Sequence, residues 1–422
     1  MRMRSRSENV NRFLVSIVLA AWIVLIVACV SPLIDPRVDL LSTEFTLYCV
    51  LIFTTFYISL FVFASMSISN LRMTSAERLR QVMFTLLSLG VAARGIDRIF
   101  LRPVGDILSI AAVRDARLAE SNLASIVGAV APAFGVALFA ILQSRHLSHR
   151  EITLARLIAC VYLADLFLTG SRGILIFALI LVFGIRISVR SLLFFVPALI
   201  VASGGLYVYR FLALTAGSDA SQILLNSSRD GYAYFVPASQ TSLQLLQTDF
   251  GEWLFFPLLQ TNQYAAHGLF EFAYLMNNAP AFTFAPGQLV PQIPFLAPQS
   301  ELFFRENLYY TLPGTLVLSF GVVGALLAAA VIGACLGRVC RHVAQVGGAG
   351  KTVVGIVIFG VPFVNTIGGF DLIFYLTAIW LFARYEIVDT RPKIPEVHSL
   401  SGKLMLPRQS SRDVPYRGRG LA

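Results

Sequence analysis

Charge is what this sequence has least of. Asp, Glu, Lys and Arg make up 13% of its 422 residues, against about 25% in a soluble domain. The deficit excludes an ordinary water-soluble chain and places this one in the membrane class, in keeping with 57% hydrophobic residues and a mean hydropathy of +0.74. Cysteine is sparse too. Its five copies (Cys29, Cys49, Cys160, Cys335 and Cys340) lie in or beside apolar stretches, and none shares a paired spacing with histidine. That excludes a disulfide framework and a zinc site, and no metal is expected. No Walker loop, dinucleotide fingerprint, HExxH or nucleophile elbow occurs in a usable context, and no cofactor is expected. No internal repeat is present, so a transporter built from inverted halves has no sequence support.

What the sequence does have is long apolar runs. A helix needs about 20 apolar residues to cross the hydrocarbon, and runs of that kind fall at about 13–31, 45–69, 123–142, 152–170, 173–187, 191–210, 314–337, 351–366 and 370–387. A tenth, at about 80–96, is weaker because Arg94, Asp97 and Arg98 crowd its end. The expected fold class is therefore an all-α polytopic membrane protein with about ten transmembrane helices. The basic stretch Met1–Arg12 leads into the first run, and Cys29-Val30-Ser31-Pro32 is a poor cleavage site, so an uncleaved first span is expected.

Orientation follows from Lys and Arg in the short loops. With a cytoplasmic N-terminus, loops at 70–80, 143–151, 186–190 and 338–351 and the tail also fall inside. That side then holds 22 of the 33 basic residues. The net charge of +10 is thus topological, and no nucleic-acid partner is expected. Both termini are read as cytoplasmic in a plasma membrane. The organisation is a basic N-terminus (1–12), seven spans (13–210), a large extracytoplasmic segment (211–312), three spans (313–387) and a disordered tail (388–422). The large segment is rich in Phe, Tyr, Leu and Pro, and eight of the chain's 18 prolines fall between Pro237 and Pro313. Stretches such as Trp253–Leu259 are too short to span and suit interfacial or re-entrant helices.

Two groups of residues carry possible chemistry. Arg172, in the turn Thr169-Gly170-Ser171-Arg172-Gly173, joins Arg210, Arg229 and Arg305 on the outer side. Guanidinium forks bind phosphate bidentately, so these four suit a pyrophosphate, although each arginine would equally serve by snorkelling to headgroups or pairing with a carboxylate. The second group is the stretch Tyr264 to Tyr274. If it is helical, Tyr264, His267, Gly268, Glu271 and Tyr274 share one face, with Leu269, Phe270, Phe272, Ala273 and Met276 on an apolar one. His267 and Glu271, four residues apart, suit a general base and its orienter. The same pattern suits an interfacial helix whose polar face meets water. Asp165 lies seven residues before Arg172 and is read as sharing a face with it, in a structural role. Asn365, Gly368, Gly369 and Asp371 mark the turn of the last hairpin.

These residues resemble a known family, the Wzy-type O-antigen polymerases, also called oligosaccharide repeat unit polymerases. Leu168-Thr169-Gly170-Ser171-Arg172-Gly173 resembles their Ser-Arg-Gly turn. Tyr264-Ala265-Ala266-His267-Gly268-Leu269-Phe270-Glu271 is similar to their loop helix. Leu312-Pro313-Gly314-Thr315 with Ser319-Phe320-Gly321-Val322-Val323-Gly324 resembles the re-entry into the next span. The likeness covers about 165–325. It implies a GT-C-like bundle in the bacterial inner membrane that joins undecaprenyl-pyrophosphate-linked repeat units into O-antigen or a related lipopolysaccharide or surface polysaccharide. It also implies partners: the lipid-linked glycans, membrane lipids and a chain-length regulator. Under it, Arg172 and Arg229, with Arg305 and Arg210, bind pyrophosphate without a metal, and His267 or Glu271 serves as base. The alternatives are an O-antigen ligase, whose histidine falls late in the loop where His267 is central, a lipid-linked oligosaccharide flippase, and a scaffold protein.

Overall fold

The computed structural model describes residues 2–66, 72–101, 122–143, 146–168, 172–186, 235–248, 255–286, 311–363 and 372–388. They are mostly helical: α1 (Arg2–Cys29), α2 (Thr43–Ser65), α3 (Ala76–Ile96), α4 (Leu123–Leu142), α5 (His149–Leu168), α6 (Arg172–Phe183), α7 (Gln240–Leu246), α8 (Phe256–Asn278), α9 (Leu312–Gly360) and α10 (Leu372–Phe382). Short polar residues start these helices. Ser42 accepts from the Phe45 amide before α2 (3.0 Å), Ser75 from Arg78 before α3 (3.3 Å), and Asn122 and Ser125 form a reciprocal capping box at α4. Two four-residue strands, β1 (Arg72–Ser75) and β2 (Tyr385–Val388), pair in parallel where the sequence suggested only loop and span end.

Among the described residues, four helical stretches are long and apolar enough to cross a membrane: Val10–Cys29, Thr43–Ser65, Leu123–Leu142 and Leu312–His342. Ile174–Phe183, Gly348–Gly360 and Leu372–Phe382 are shorter apolar helices. The expected span at 191–210 and the tail beyond 388 lie outside the described residues. α1 and α2 turn Leu19, Ile23, Val27, Leu47 and Ile58 outward, each more than half exposed. An apolar face of that extent is what a helix presents to lipid.

Contacts between helix termini sort them into two ends of a bundle. At one end Asn11 donates to Ser65 (3.2 Å), Arg80 pairs with Glu151 (3.3 Å), Gln143 donates to the Leu181 carbonyl (3.1 Å), and Gly348 backs onto Arg186. The β1–β2 pair, Arg338, Arg341 and Arg384 belong to this basic end. The far end holds Cys29, Ser42, Arg94 to Arg98, Asn122, the start of α6 and the segments 235–248 and 255–286. There the backbone of 33–37 runs antiparallel to 235–239, with bonds from Asp35 to Pro237 (2.8 Å), Arg37 to Phe235 (2.9 Å) and Ser239 to Leu33 (3.0 Å).

α9 is helical over 49 residues, but two departures divide it. A straight helix of that length would hold its ends about 70 Å apart, yet the Leu312 amide donates to the Val361 carbonyl at 3.3 Å. The run therefore doubles back, and since Gly337 lies against Leu60 and Gly355 against Phe13 and Ile17, both legs reach toward the basic end. The second departure is Gly321, at φ +71°, a left-handed conformation that costs a side-chain-bearing residue about 1–2 kcal/mol. Beyond it the amides of Val322 and Val323 donate out of the helix, to Pro280 (3.2 Å) and Ala281 (3.1 Å), and the Ala285 amide donates to Ser319 (2.7 Å). The segment 280–285 is thus stitched into the break.

The longest interface is between α2 and the leg of α9 after Gly321. A Cβ at Gly333 would lie 2.4 Å from the Phe56 carbonyl oxygen, and one at Gly337 2.4 Å from that of Leu60. Small residues one turn apart let the backbones touch, which is how apolar helices associate without a hydrophobic drive between them. Gly337→Val should therefore cost about 1–3 kcal/mol, seen as a lower Tm of the protein in detergent. Leu327→Ala, at a position 70% exposed on the same helix, should leave Tm unchanged.

Candidate functional site

α8 starts with Pro257 in its first turn, where a missing amide proton costs nothing. Its orientation overturns one reading of the sequence. The face bearing His267 and Glu271 does not meet water: His267 is 0% exposed, Glu271 2% and Gln263 0%. The opposite face is covered as well, with Ala266, Phe270, Phe272, Ala273 and Leu275 all buried. Most of the helix is buried from about 263 to 275, with Tyr264, Ala265, Leu269 and Tyr274 half-buried. Phe272 meets Phe45 of α2 edge-on at 5.4 Å, Tyr274 lies 5.4 Å from Phe235, and Asn277 reaches Ser42 (3.4 Å).

A polar face taken into an interior must be satisfied there. The Gln263 amide donates to the Val236 carbonyl (3.0 Å), and Asn262 to that of Ala28 (3.3 Å). Nδ1 of His267 lies 2.8 Å from the Tyr264 carbonyl. A carbonyl only accepts, so Nδ1 carries the proton and the neutral ring has its lone pair on Nε2. The Tyr264 ring is 5.4 Å away, tilted across the imidazole. One turn on, Glu271 shares this face, with Cβ atoms about 6 Å apart for such a pair.

Gly268, between them, allows a close approach: a Cβ there would be 2.5 Å from the Phe363 carbonyl oxygen and 2.9 Å from Cγ2 of Thr311. Since Gly268 abuts Thr311 and Pro280 meets Val322, the two chain segments run side by side. The facing turns of α9 carry buried hydroxyls at four-residue intervals, on Thr311, Thr315 and Ser319. Thr311 caps α9 through Gly314 (3.0 Å), Thr315 bonds back to the Thr311 carbonyl (3.1 Å), and the Ser319 hydroxyl is buried with no partner among the described residues. This row was missed in the sequence, although the i, i+4, i+8 spacing in an apolar run was its signal.

A second polar centre lies at the far end of α3. Arg94 pairs with Asp165, Arg98 reaches the other carboxylate oxygen (3.4 Å), and Arg94 Nε donates to the Gly128 carbonyl (2.7 Å). The Arg94 guanidinium also lies over the Tyr162 ring at 4.9 Å, and Tyr162 and Tyr375 join hydroxyls at 3.0 Å. Asp97, 2% exposed, accepts from Asn122 (2.7 Å). Asp165 therefore has Arg94 and Arg98 among its partners; the side chain of Arg172, read from the sequence as sharing its face, lies outside the described ones. The charges that weakened the span at 80–96 are those that brace it.

Arg172 is the first residue of α6, adjacent to the end of α5 and so at this far end. Arg210, Arg229, Arg305, the Thr169–Ser171 turn and the 365–371 turn lie outside the described residues. No group of His, Cys, Asp and Glu that would hold a metal occurs among the described residues. Comparison with protein-family models, curated proteins and solved structures finds no match.

Asp165→Ala leaves two largely buried guanidinium groups facing one another and should destabilise by about 3 kcal/mol. Arg98→Gln should cost clearly less, because Arg94 keeps its carboxylate. Thermal unfolding of the single and double variants in detergent checks this. Additive losses would mean that Asp165 and Arg98 do not interact.

Proposed function

We propose that this chain is a membrane glycosyltransferase that polymerises undecaprenyl-pyrophosphate-linked oligosaccharide repeat units at the outer face of a bacterial inner membrane. The observation that carries this reading is the burial of His267 and Glu271 one turn apart on a helix that is mostly buried. Titratable groups held in an interior at such cost mark functional sites, and imidazole with carboxylate suits proton removal from a hydroxyl. The resemblance at the Ser-Arg-Gly turn, the α8 segment and the α9 re-entry supplies the substrate class.

In the reaction, a sugar hydroxyl of one lipid-linked repeat unit attacks the anomeric carbon at the reducing end of the growing glycan. The bond to the pyrophosphate oxygen breaks, and undecaprenyl pyrophosphate leaves. His267 Nε2 takes the hydroxyl proton, with Glu271 orienting the imidazole or the acceptor. Arg172 and Arg229, assisted by Arg305 and Arg210, stabilise the charge on the departing pyrophosphate. No metal or nucleotide cofactor takes part in this scheme. The far end is extracytoplasmic and the basic end cytoplasmic, as the positive-inside rule orients them.

Deletion of the gene in its host, followed by glycan electrophoresis, decides between classes. Loss of a polymerase leaves one repeat unit on the lipid core, loss of a ligase leaves none there, and an unchanged ladder sinks both readings. His267→Ala and Glu271→Gln should lower polymer formation about 10²–10⁴-fold at normal membrane levels of protein. Arg172→Ala and Arg229→Ala should abolish the ladder in the same assay; normal chain length in either would remove that arginine from the scheme.

A further inference from the structure

We propose that the basic end carries a binding site for the phosphate of an anionic phospholipid, formed by Arg338, Arg341 and His342 of α9 with Arg384 just after α10. The first three recur at i, i+3 and i+4, one face of a helix. Arg384, Arg341 and Arg338 all lie close enough to His342 to act on it electrostatically. Four cationic or protonatable groups therefore converge.

The ion pairs among the described side chains join Arg37 to Asp39, Arg80 to Glu151, and Arg94 and Arg98 to Asp165; none involves Arg338, Arg341 or His342. Nε and Nη1 of Arg341 and Nδ1 of His342 are buried without a hydrogen-bond partner. Buried donors are nearly always satisfied, and Arg is the side chain whose fork fits phosphate oxygens. Two aromatic rings hold the outer arginines in place: Arg338 lies over Phe63 at 5.5 Å and Arg384 over Trp380 at 3.4 Å.

The surroundings select a lipid over a soluble phosphate. Phe63 belongs to the last turns of α2, where Phe61, Val62, Ser65 and Met66 line an open groove of about 490 Å³. On the neighbouring leg of α9, Leu327 and Val331 are 70% and 61% exposed. An apolar surface ending in Arg338 and Arg341 fits an acyl chain below a phosphodiester headgroup. This inference is independent of the transferase reading, which concerns the other end of the bundle.

The test uses the full-length protein in nanodiscs of phosphatidylcholine alone or mixed with phosphatidylglycerol, with bound lipid counted by native mass spectrometry. Phosphatidylglycerol should be retained preferentially. Its occupancy should fall about tenfold for each charge-assisted contact removed in Arg338→Gln/Arg341→Gln. Arg78→Gln/Arg150→Gln removes the same charge from exposed positions at the same end and should retain the lipid. Equal retention of both lipids, or equal loss in the Arg78/Arg150 control, would overturn the proposal. Displacement of the lipid by millimolar inorganic phosphate, with full thermal stability retained, would assign the site to a soluble anion instead.

Discussion

A polar group carried into apolar surroundings has to find its partner there, and the placement of α8 depends on that requirement more than on any other. Its rotation about its own axis is set by Gln263 and Asn262, which reach backbone carbonyls at Val236 and Ala28. Those two carbonyls belong to the far-end ladder and to the end of α1. The buried side chains of α8 are thereby referred to the frame of the bundle, and His267 and Glu271 are held on elements that do not move independently.

The same requirement explains the break in α9. Opening a helix at Gly321 frees amides and carbonyls that would be costly in an apolar interior, and the segment 280–285 meets them with three backbone bonds. Irregular backbone at this depth is tolerated where protein covers it. The break also sets the chain direction on either side: before it, the turns bearing Thr311, Thr315 and Ser319 follow α8; after it, the helix turns to α2.

The spans that read most clearly in the sequence, α1, α2 and α4, are those where length and hydropathy alone decide. The reversal between Leu312 and Val361 was legible too, because basic and glycine residues interrupt two apolar runs there. Orientation of α8 was not. A 3.6-residue period tells which residues share a face, but not what lies opposite, and assigning water to the polar side assumes a helix on a surface. Arg94 and Arg98 were seen only as a weakness in a span, since their carboxylate, Asp165, lies about 70 residues away. β1 and β2 are too short to show an alternating pattern, and no turn joins them.

That strand pair has a consequence for how the protein is made. Residues 72–75 leave the ribosome about 300 residues before 385–388, their partners, and a contact of such long range closes late. Until α10 has been synthesised, β1 presents an unpaired backbone edge at the basic end. The parallel pair then joins the start of α3 to the end of α10. A chain ending before Tyr385 would contain the residues of α1 to α10 but lack the strand that joins α10 to α3.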